Sequence, residues 1–332
     1  MNAIAFYGLA ALKKIRKLDL SVTYRCNAGC TTCNIWKLYR ENPSLASAEY
    51  SLSQYDKFFS KYDFWNWISF TGGEPFLRED LNEIVEIAGR RCKGLYAVSI
   101  ATSAITSRAI AESIRKLLEH TRCRVHINIS LNGNREIHNL MKGSAVAFDA
   151  AVGLFEELRA LRNRRLSVKY EYLIAVANQG MFAGFIAGNP SFSIDDFILC
   201  FEQPSFRYNI NVARNGALNR DTLRQDIDYF LKNGKTKNMH DLQQRLFLYC
   251  VLNGIMIPCV AGKNTFYMDP YGNAFYCTVV KKNTDLNKIT VGAVSCKGCY
   301  TPCESYFGLA LGSRLELLKD IYKGRFSKGY PP

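Results

Sequence analysis

Apolar and polar residues alternate in regular blocks along the first two hundred residues. Short runs rich in β-branched residues predict five strands, at 17–24, 67–71, 94–102, 124–132 and 166–176. Helical spacing of apolar positions follows the second, third and fourth strands, at 80–91, 107–120 and 144–163. The segment SIDDFILCFEQ (193–203) predicts a further helix with Ser193 as its N-cap, and FRYNINV (206–212) predicts a sixth strand.

This strand–helix alternation indicates βαβ units and therefore a parallel sheet. Six units are fewer than the eight of a closed barrel, so we expect an α/β fold with an open, partial (β/α)6 TIM-like barrel over residues 17–218. Residues 1–16 predict a short N-terminal helix and 219–255 a helical linker. Residues 256–332 predict a small cysteine-rich domain that ends in a helix.

The chain of 332 residues is basic, with a formal net charge of +14. An anionic partner is one interpretation of this charge, and a solvated basic surface is the other. The basic run at 158–165 has no interleaved aromatic residues that could stack on bases, so nucleic-acid binding is not indicated.

No segment has the roughly 18–20 apolar residues of a membrane-spanning helix. In the apolar N-terminus the basic residues follow the apolar run, whereas a secretory signal would place them before it. We expect a cytoplasmic protein, with at most weak contact between the N-terminus and a membrane surface.

Eight of the twelve cysteines fall into two groups. The first contains Cys26, Cys30 and Cys33, and the second contains Cys259, Cys277, Cys296, Cys299 and Cys303. In a chain of this length without a secretory signal, clustered cysteines indicate metal binding and not a disulfide framework. The remaining four, Cys92, Cys123, Cys200 and Cys250, are isolated, and we expect them to be small buried apolar residues.

Three thiolates do not complete a structural zinc site, which needs four protein ligands. A 4Fe–4S cluster has four irons, so three cysteines leave one iron free for another ligand. A zinc site with a distant fourth ligand is the alternative that the spacing leaves open. The cysteine loop (25–33) follows the first strand, TGGEP the second, TSAIT the third and SLNG the fourth. Because these are the carboxyl ends of parallel strands, all four motifs are expected on one rim of the sheet.

Three of these motifs resemble a known family. CNAGCTTC (26–33) matches the C-x3-C-x2-C signature of the radical S-adenosylmethionine enzymes, SFTGGEPFL (69–77) resembles their GGEP segment, and ISLNGNREIHNLMKG (129–143) is similar to their strand-four pattern. The resemblance spans residues 18–215. It implies that Cys26, Cys30 and Cys33 ligate a 4Fe–4S cluster whose fourth iron binds the amino and carboxylate groups of S-adenosylmethionine. Reductive cleavage of this cofactor would yield a 5′-deoxyadenosyl radical that abstracts hydrogen from a substrate.

The same resemblance implies cofactor contacts at the ends of the strands. Gly72 and Gly73 would let the backbone approach the cofactor because they have no Cβ, and Glu74 and Pro75 would shape the site around its amino group. The other candidates are Thr102 and Ser103 at the end of strand three, Ser130 and Asn132 for the ribose hydroxyls, and Arg214 for the carboxylate. For each of them, a role in satisfying a rim loop is the alternative.

Two residues depart from the family's pattern. Thr32 stands where an aromatic residue usually packs near the adenine, and Asn132 stands where the family often has Asp. Neither is a predicted cluster ligand, so these departures concern only the adenine and ribose contacts. His138 follows the strand-four loop in a predicted helix, and we expect it to pack or to bond the backbone.

The second cysteine group begins around PYGN, which predicts a hairpin turn between two short strands. Together with SCKGCYTPC it resembles the SPASM extension, or its shortened twitch form, which holds auxiliary iron–sulfur clusters. The C-x2-C-x3-C run is shorter than the full SPASM pattern, and no cysteine follows Cys303. The resemblance implies one auxiliary 4Fe–4S cluster with four of the five cysteines as ligands, or three if one iron is open. A zinc ribbon is the alternative.

An enzyme is therefore expected, with an electron donor such as ferredoxin or flavodoxin as a partner. SPASM and twitch extensions are common in enzymes that modify peptides, so a peptide or protein is the first expected substrate. A small molecule, a cofactor precursor or a lipid is the alternative substrate. A non-catalytic scaffold stapled by cysteine-bound metal is the alternative of another class, although a scaffold gives no reason for TGGEP and SLNG to lie beside a three-cysteine loop.

Overall fold

The computed structural model describes residues 15–208, 218–255, 259–284 and 286. Several sequence predictions lie outside the described residues: almost all of the N-terminal helix, the end of the 206–212 strand, Arg214, Cys296, Cys299, Cys303 and the C-terminal helix. In the part that is described, no helix is long and apolar enough to cross a membrane.

The described strands form one eight-stranded sheet in the order β6-β5-β4-β3-β2-β1-β7-β8. They are β1 (Lys17–Thr23), β2 (Trp67–Gly72), β3 (Ala97–Thr102), β4 (Arg124–Ser130), β5 (Leu166–Ile174), β6 (Phe197–Phe201), β7 (Thr265–Met268) and β8 (Ala274–Phe275). Neighbouring strands are parallel except for the β7–β8 hairpin. The two edge strands, β6 and β8, do not pair in the described structure, so the sheet is open. The predicted partial barrel is confirmed.

Helices cover the outer face of this sheet. They are α1 (Ile35–Glu41), α2 (Leu52–Lys61), α3 (Leu81–Arg91), α4 (Ser107–His120), α5 (Arg135–Lys142), α6 (Ala147–Ala160), α7 (Phe182–Ala187), α8 (Arg220–Asn233) and α9 (Met239–Leu252). The predicted helix at 144–163 is α6, and α5 precedes it as a separate helix that ends at Gly143 in the left-handed conformation, with φ of 61°.

The two faces of the sheet differ in polarity. Along β1 the apolar residues Leu18, Leu20 and Val22 belong to the hydrophobic core, whereas the alternating positions are polar: Lys17, Asp19, Ser21 and Thr23. Because successive side chains of a strand point to opposite faces, these polar residues lie on the inner face of the partial barrel. The inner face is therefore polar and suited to binding rather than to packing.

The prediction of a helix at 193–203 was wrong. A 3-10 helix (Ile194–Asp196) leads into strand β6, whose five residues are all buried, and Ser193 makes no side-chain cap hydrogen bond. Although β6 is an edge strand, it is buried on both faces and reads as an unbroken apolar run, so FILCF carries no period that separates strand from helix. The strand predicted at 206–212 was also wrong for its described part, which is a 3-10 helix (Phe206–Tyr208).

The chain returns to the main sheet after α9. Strand β7 pairs in parallel with β1, from Lys17 opposite Thr265 to Leu20 opposite Met268. The predicted turn then reverses the chain into β8, and Gly272 adopts a φ of 83° there. Strand β7 thus extends the sheet beyond β1, a connection that the sequence did not predict.

Candidate active site

The cysteine loop leaves the carboxyl end of β1 with its thiols largely enclosed. Burial raises the pKa of the Cys26 thiol to about 11, against the effect of the Ala28 N–H group. Burial likewise raises the pKa of the Cys33 thiol to about 12, although the Ile35 N–H donates to its Sγ across 3.4 Å. The negative charges of Cys30 and Cys26 contribute further to raising the pKa of Cys33.

Three thiols on one loop are a donor set that fits an iron–sulfur cluster. Among the described residues, no three His, Cys, Asp or Glu side chains lie close enough to hold one metal ion. In a cluster each thiolate binds a different iron, so its sulfurs stand farther apart than around one zinc. Asn27, inside the loop, has both polar side-chain atoms buried without a partner in the described structure. Such atoms are costly to bury alone, which indicates that another group binds beside the loop.

The GGEP segment packs directly on the cysteine loop. The Gly73 N–H donates to the Thr23 carbonyl and the Glu74 N–H to the Arg25 carbonyl, both across 2.8 Å. A Cβ on Gly72 would lie 2.1 Å from the Thr23 oxygen, and one on Gly73 would lie 2.1 Å from the Arg25 oxygen. Glycine is therefore needed at both positions because the backbone of the GGEP segment lies against the backbone of the cysteine loop. The predicted reason was different: a close approach of the backbone to a cofactor.

Glu74 ties this segment to the end of β3. Its buried carboxylate accepts from Thr102 Oγ1 at 3.0 Å, from the Ser103 N–H at 2.8 Å and from Ser103 Oγ at 2.7 Å. Burial raises the pKa of Glu74 in spite of these hydrogen bonds. Thr102 and Ser103, predicted as cofactor contacts, here hold Glu74 in place. Pro75 is buried and begins a short 3-10 turn (Pro75–Leu77).

The loop after β4 is held in a similar way. Asn132 is buried, and its Oδ1 accepts from the Leu173 N–H across 3.0 Å. The Asn132 N–H donates to His138 Nδ1 at 3.0 Å, and the Asn132 carbonyl accepts from Asn178 Nδ2 at 2.9 Å. Backbone bonding by His138 is thus confirmed. Ser130 lies half-buried at the end of β4, and the amide NH2 of Asn132 is the polar group that this arrangement leaves for a ligand.

Helix α5 meets the other side of the cysteine loop. The Gly29 N–H donates to the Lys142 carbonyl at 2.9 Å and the Thr31 N–H to the Met141 carbonyl at 3.0 Å. Lys142 is buried, and its charge lowers the pKa of Cys26, as that of Arg207 lowers the pKa of Cys33, in each case against the larger effect of burial. Neither cation was predicted. For Lys142 the reason is that a lysine just before a helix-ending glycine is common at helix C-termini for reasons unrelated to a site.

Glu49 was also missed by sequence reasoning. Its Oε1 accepts from Thr23 Oγ1 at 2.6 Å, from the Tyr24 N–H at 3.1 Å and from the Tyr39 hydroxyl at 2.6 Å. These hydrogen bonds fix the exit of β1 and the helix after the loop. Glu49 lies in an irregular polar segment with no motif, so no sequence signal marks this role.

Polar side chains also lie on the inner face below the rim. Asn128 Nδ2 donates to Glu171 Oε2 at 3.4 Å, and the Cys200 thiol donates to Glu171 Oε1 at 3.7 Å. The expected burial of the four isolated cysteines is confirmed: Cys92, Cys123, Cys200 and Cys250 are all buried. Cys200 is nevertheless more than a small apolar residue, since its thiol faces a carboxylate.

Two cysteines of the second group are described. Cys259 is exposed and Cys277 is buried. The Val280 N–H donates to Cys277 Sγ across 3.2 Å, a bond that also suits a thiolate.

Thr32, where the family usually has an aromatic residue, is buried in the cysteine loop.

The open parallel barrel carries a three-cysteine loop, a GGEP turn and polar strand ends on one rim. These features define an α/β enzyme whose site suits a metal-containing cofactor. Residues 20–174 match the family model described as Radical SAM superfamily. The part of the chain that resembles this superfamily therefore runs from β1 to β5 and includes the cysteine loop. That family implies a 4Fe–4S cluster and S-adenosylmethionine.

Two curated relatives are similar in sequence. Fe-coproporphyrin III synthase of Methanosarcina barkeri is 31% identical over 143 residues, which are 43% of this chain and 32% of that protein. The match thus spans about a third of that relative's length. A protein named probable GTP 3′,8-cyclase, of Saccharolobus islandicus, is 24% identical over 266 residues, which are 80% of this chain and 78% of that protein.

Solved structures share the fold at low sequence identity. Streptococcus suis SuiB bound to S-adenosylmethionine has a TM-score of 0.55 and 14% identity, covering 95% of this chain and 68% of SuiB. SuiB bound to the precursor peptide SuiA has a TM-score of 0.52 and 14% identity, covering 98% and 70%. The structure of anSMEcpe with AdoMet and the Cp18Cys peptide has a TM-score of 0.50 and 16% identity, covering 79% and 73%.

Proposed function

We propose that Cys26, Cys30 and Cys33 ligate a 4Fe–4S cluster and that S-adenosylmethionine binds beside it on the same rim. When bound, this pair supplies a 5′-deoxyadenosyl radical for abstraction of hydrogen from a substrate. One observation carries the proposal: the GGEP turn and α5 both pack on the cysteine loop through backbone hydrogen bonds of 2.8–3.0 Å. A loop held on two sides in this way presents its thiols in one fixed arrangement.

The surrounding residues have supporting roles in this proposal. Gly72 and Gly73 set the GGEP turn against the loop, and Glu74 with Pro75 shapes the place for the cofactor's amino group. Thr102 and Ser103 orient Glu74 through three hydrogen bonds. We assign the ribose hydroxyls to Ser130 and Asn132, and the cofactor carboxylate to Arg214, which lies outside the described residues.

A peptide or protein is the substrate that we propose first. The polar inner face, with Asn128 and Glu171 bonded to each other at 3.4 Å, offers hydrogen-bonding groups to a polar chain. The crystal structure of SuiB, which has a similar fold, contains a precursor peptide, and this supports a peptide substrate here.

A small molecule or cofactor precursor is the second candidate. It is supported by the relative named GTP 3′,8-cyclase, which aligns over 80% of this chain. The rate of 5′-deoxyadenosine formation with GTP present tests this candidate directly. An unchanged rate contradicts a GTP substrate, and a stimulated rate contradicts the peptide as the sole class.

For the second cysteine group we propose one auxiliary 4Fe–4S cluster, whose ligands come from Cys259, Cys277, Cys296, Cys299 and Cys303. The buried Cys277 with its N–H donor supports this assignment, and the β7–β1 pairing anchors the hairpin that precedes it. An external one-electron donor of the ferredoxin or flavodoxin type completes the system.

The test is anaerobic reconstitution of the full chain, followed by iron and sulfide analysis, EPR with and without S-adenosylmethionine, and assay of 5′-deoxyadenosine with dithionite. Cys30→Ala is expected to lose the cofactor-sensitive EPR signal and cleavage. Cys92→Ala removes a buried thiol elsewhere in the chain and is expected to keep both. Cys296→Ala is expected to lose auxiliary iron but to retain cleavage without substrate.

Zinc without iron or sulfide in the reconstituted chain would overturn the proposal. So would an EPR spectrum that S-adenosylmethionine does not change. Equal loss of cleavage in Cys30→Ala and Cys296→Ala would contradict the assignment of separate roles to the two cysteine groups.

A further inference from the structure

Lys142 is a buried cation beside the cysteine loop. It is the last residue of α5 and is only 8% exposed. Its carbonyl accepts from the Gly29 N–H at 2.9 Å, and a Cβ on the next residue, Gly143, would lie 2.7 Å from the Gly29 oxygen. The backbone of Lys142 is therefore fixed against the middle of the cysteine loop, between Cys26 and Cys30.

No carboxylate of the described residues pairs with the Lys142 ammonium within ion-pair distance, whereas other largely buried cations, such as Lys17 and Arg78, have such partners. Glu74 forms no ion pair with Lys142 within that distance, and its Oε2 instead accepts from Thr102 Oγ1 and Ser103 Oγ. His138, one turn earlier on the same helix face, is uncharged because burial lowers its pKa to about 3. A cation on a largely enclosed side chain is stabilised by a neighbouring anion, so Lys142 is suited to an anionic group bound at the loop.

We propose that Lys142 is the counter-charge of the three-cysteine centre and raises the reduction potential of the cluster bound there. The inference rests on the proposed function, since it requires a cluster on Cys26, Cys30 and Cys33. Three thiolates gather negative charge around the cluster, and reduction adds one more electron to it. A fixed positive charge at the loop stabilises the reduced state more than the oxidised state.

The test is an EPR-monitored redox titration of the reconstituted full chain without S-adenosylmethionine. The signal of this cluster is the one that Cys30→Ala lacks. In Lys142→Met, which keeps the length but not the charge, the ratio of reduced to oxidised cluster at a fixed potential is expected to fall about tenfold, equivalent to ~59 mV for one electron. Lys142→Arg is expected to stay within about twofold of the wild type.

Arg135→Met is the matched control. It removes one positive charge from the same helix, but from an exposed side chain paired with Asp149. We expect its potential to equal that of the wild type. If Lys142→Met loads less iron, Lys142→Gln takes its place, because it is also neutral and keeps a hydrogen-bond donor.

An unchanged potential in a fully loaded neutral variant would overturn the inference while leaving the cluster assignment intact. The same holds if only the affinity for S-adenosylmethionine falls, because Lys142 would then bind the cofactor's carboxylate. Failure of the proposed function has a different signature: Cys30→Ala would bind as much iron and sulfide as the wild type.

Discussion

At the scale of single residues, the site is held by buried polar groups that bond backbone atoms of neighbouring loops. Glu74 accepts the Ser103 N–H at 2.8 Å, Asn132 accepts the Leu173 N–H at 3.0 Å, and His138 accepts the Asn132 N–H at 3.0 Å. Each bond joins the ends of two elements. An unpaired buried group costs about 1–3 kcal/mol, so these few side chains strongly favour one arrangement of the rim.

The buried His138 predicts a specific dependence of stability on pH. Burial, and to a lesser extent the charge of Lys142, lowers its pKa to about 3. Since an unfolded histidine titrates at about 6.5, the unfolded state alone binds this proton between those values. The contribution of His138 is complete above pH 6.5 and is lost as the pH falls, at about 1.4 kcal/mol per unit.

Urea unfolding from pH 7.5 to 4.5 measures this effect against His138→Asn, which keeps an acceptor for the Asn132 N–H. The difference in unfolding free energy between wild type and variant is expected to shrink as the pH falls. His120→Asn is the control because His120 is mostly exposed. Parallel curves for wild type and His138→Asn would contradict the prediction.

Gly73 gives a second prediction at the residue scale. A Cβ there would lie 2.1 Å from the Arg25 oxygen, so Gly73→Ala must push the GGEP turn off the cysteine loop. We expect a loss of about 1–3 kcal/mol in stability together with reduced iron content after reconstitution. Gly153→Ala is the control: no atom lies within 4 Å of its Cβ in α6, and it is expected to gain about 0.5–1 kcal/mol. Normal iron content in Gly73→Ala would argue against the importance of this contact.

At the scale of elements, the sequence predicts what depends on local pattern and misses what depends on distant partners. Strands β1 to β5 were predicted because each is a β-rich run followed by a polar loop. Strand β6 was missed because an apolar run buried on both faces has no diagnostic period. The cysteine motif marked the site, but Lys142 meets it across more than a hundred residues, and no local signal reports such a contact.

The pairing of β7 with β1 leads to a prediction about the hairpin. Gly272 has a φ of 83°, and a Cβ there would lie 2.0 Å from the Tyr50 ring. Gly272→Ala is expected to destabilise the docked hairpin by about 1–3 kcal/mol and to speed hydrogen exchange in β7 and β8. In Gly272→Ala/Tyr50→Ala the clash is relieved, so the combined loss is expected to be smaller than the sum of the single losses. Strict additivity would mean that the turn does not dock on Tyr50.

At the scale of the whole molecule, part of the positive charge collects at the end of the sheet opposite the site. A cavity of about 700 Å³ opens beside the amino ends of β3, β4 and β5. It is lined by six basic residues, Arg90, Lys93, Arg122, Arg124, Arg164 and Arg165, with Glu86 as the acidic one. Like charges crowded around one cavity repel each other, so a multivalent anion held there stabilises the folded state.

Sulfate is therefore expected to raise the melting temperature above that in chloride at equal ionic strength. Because sulfate also strengthens burial in any protein, the comparison needs variants and not salts alone. Arg122→Ser/Arg164→Ser removes two charges from the cavity. This double variant is expected to lose much of the increase in melting temperature that sulfate gives the wild type. Arg108→Ser/Lys232→Ser removes two charges from exposed positions that do not line the cavity, and is expected to keep it. Equal increments in both double variants would show that the stabilisation is a general salt effect and that the charges of the cavity act independently.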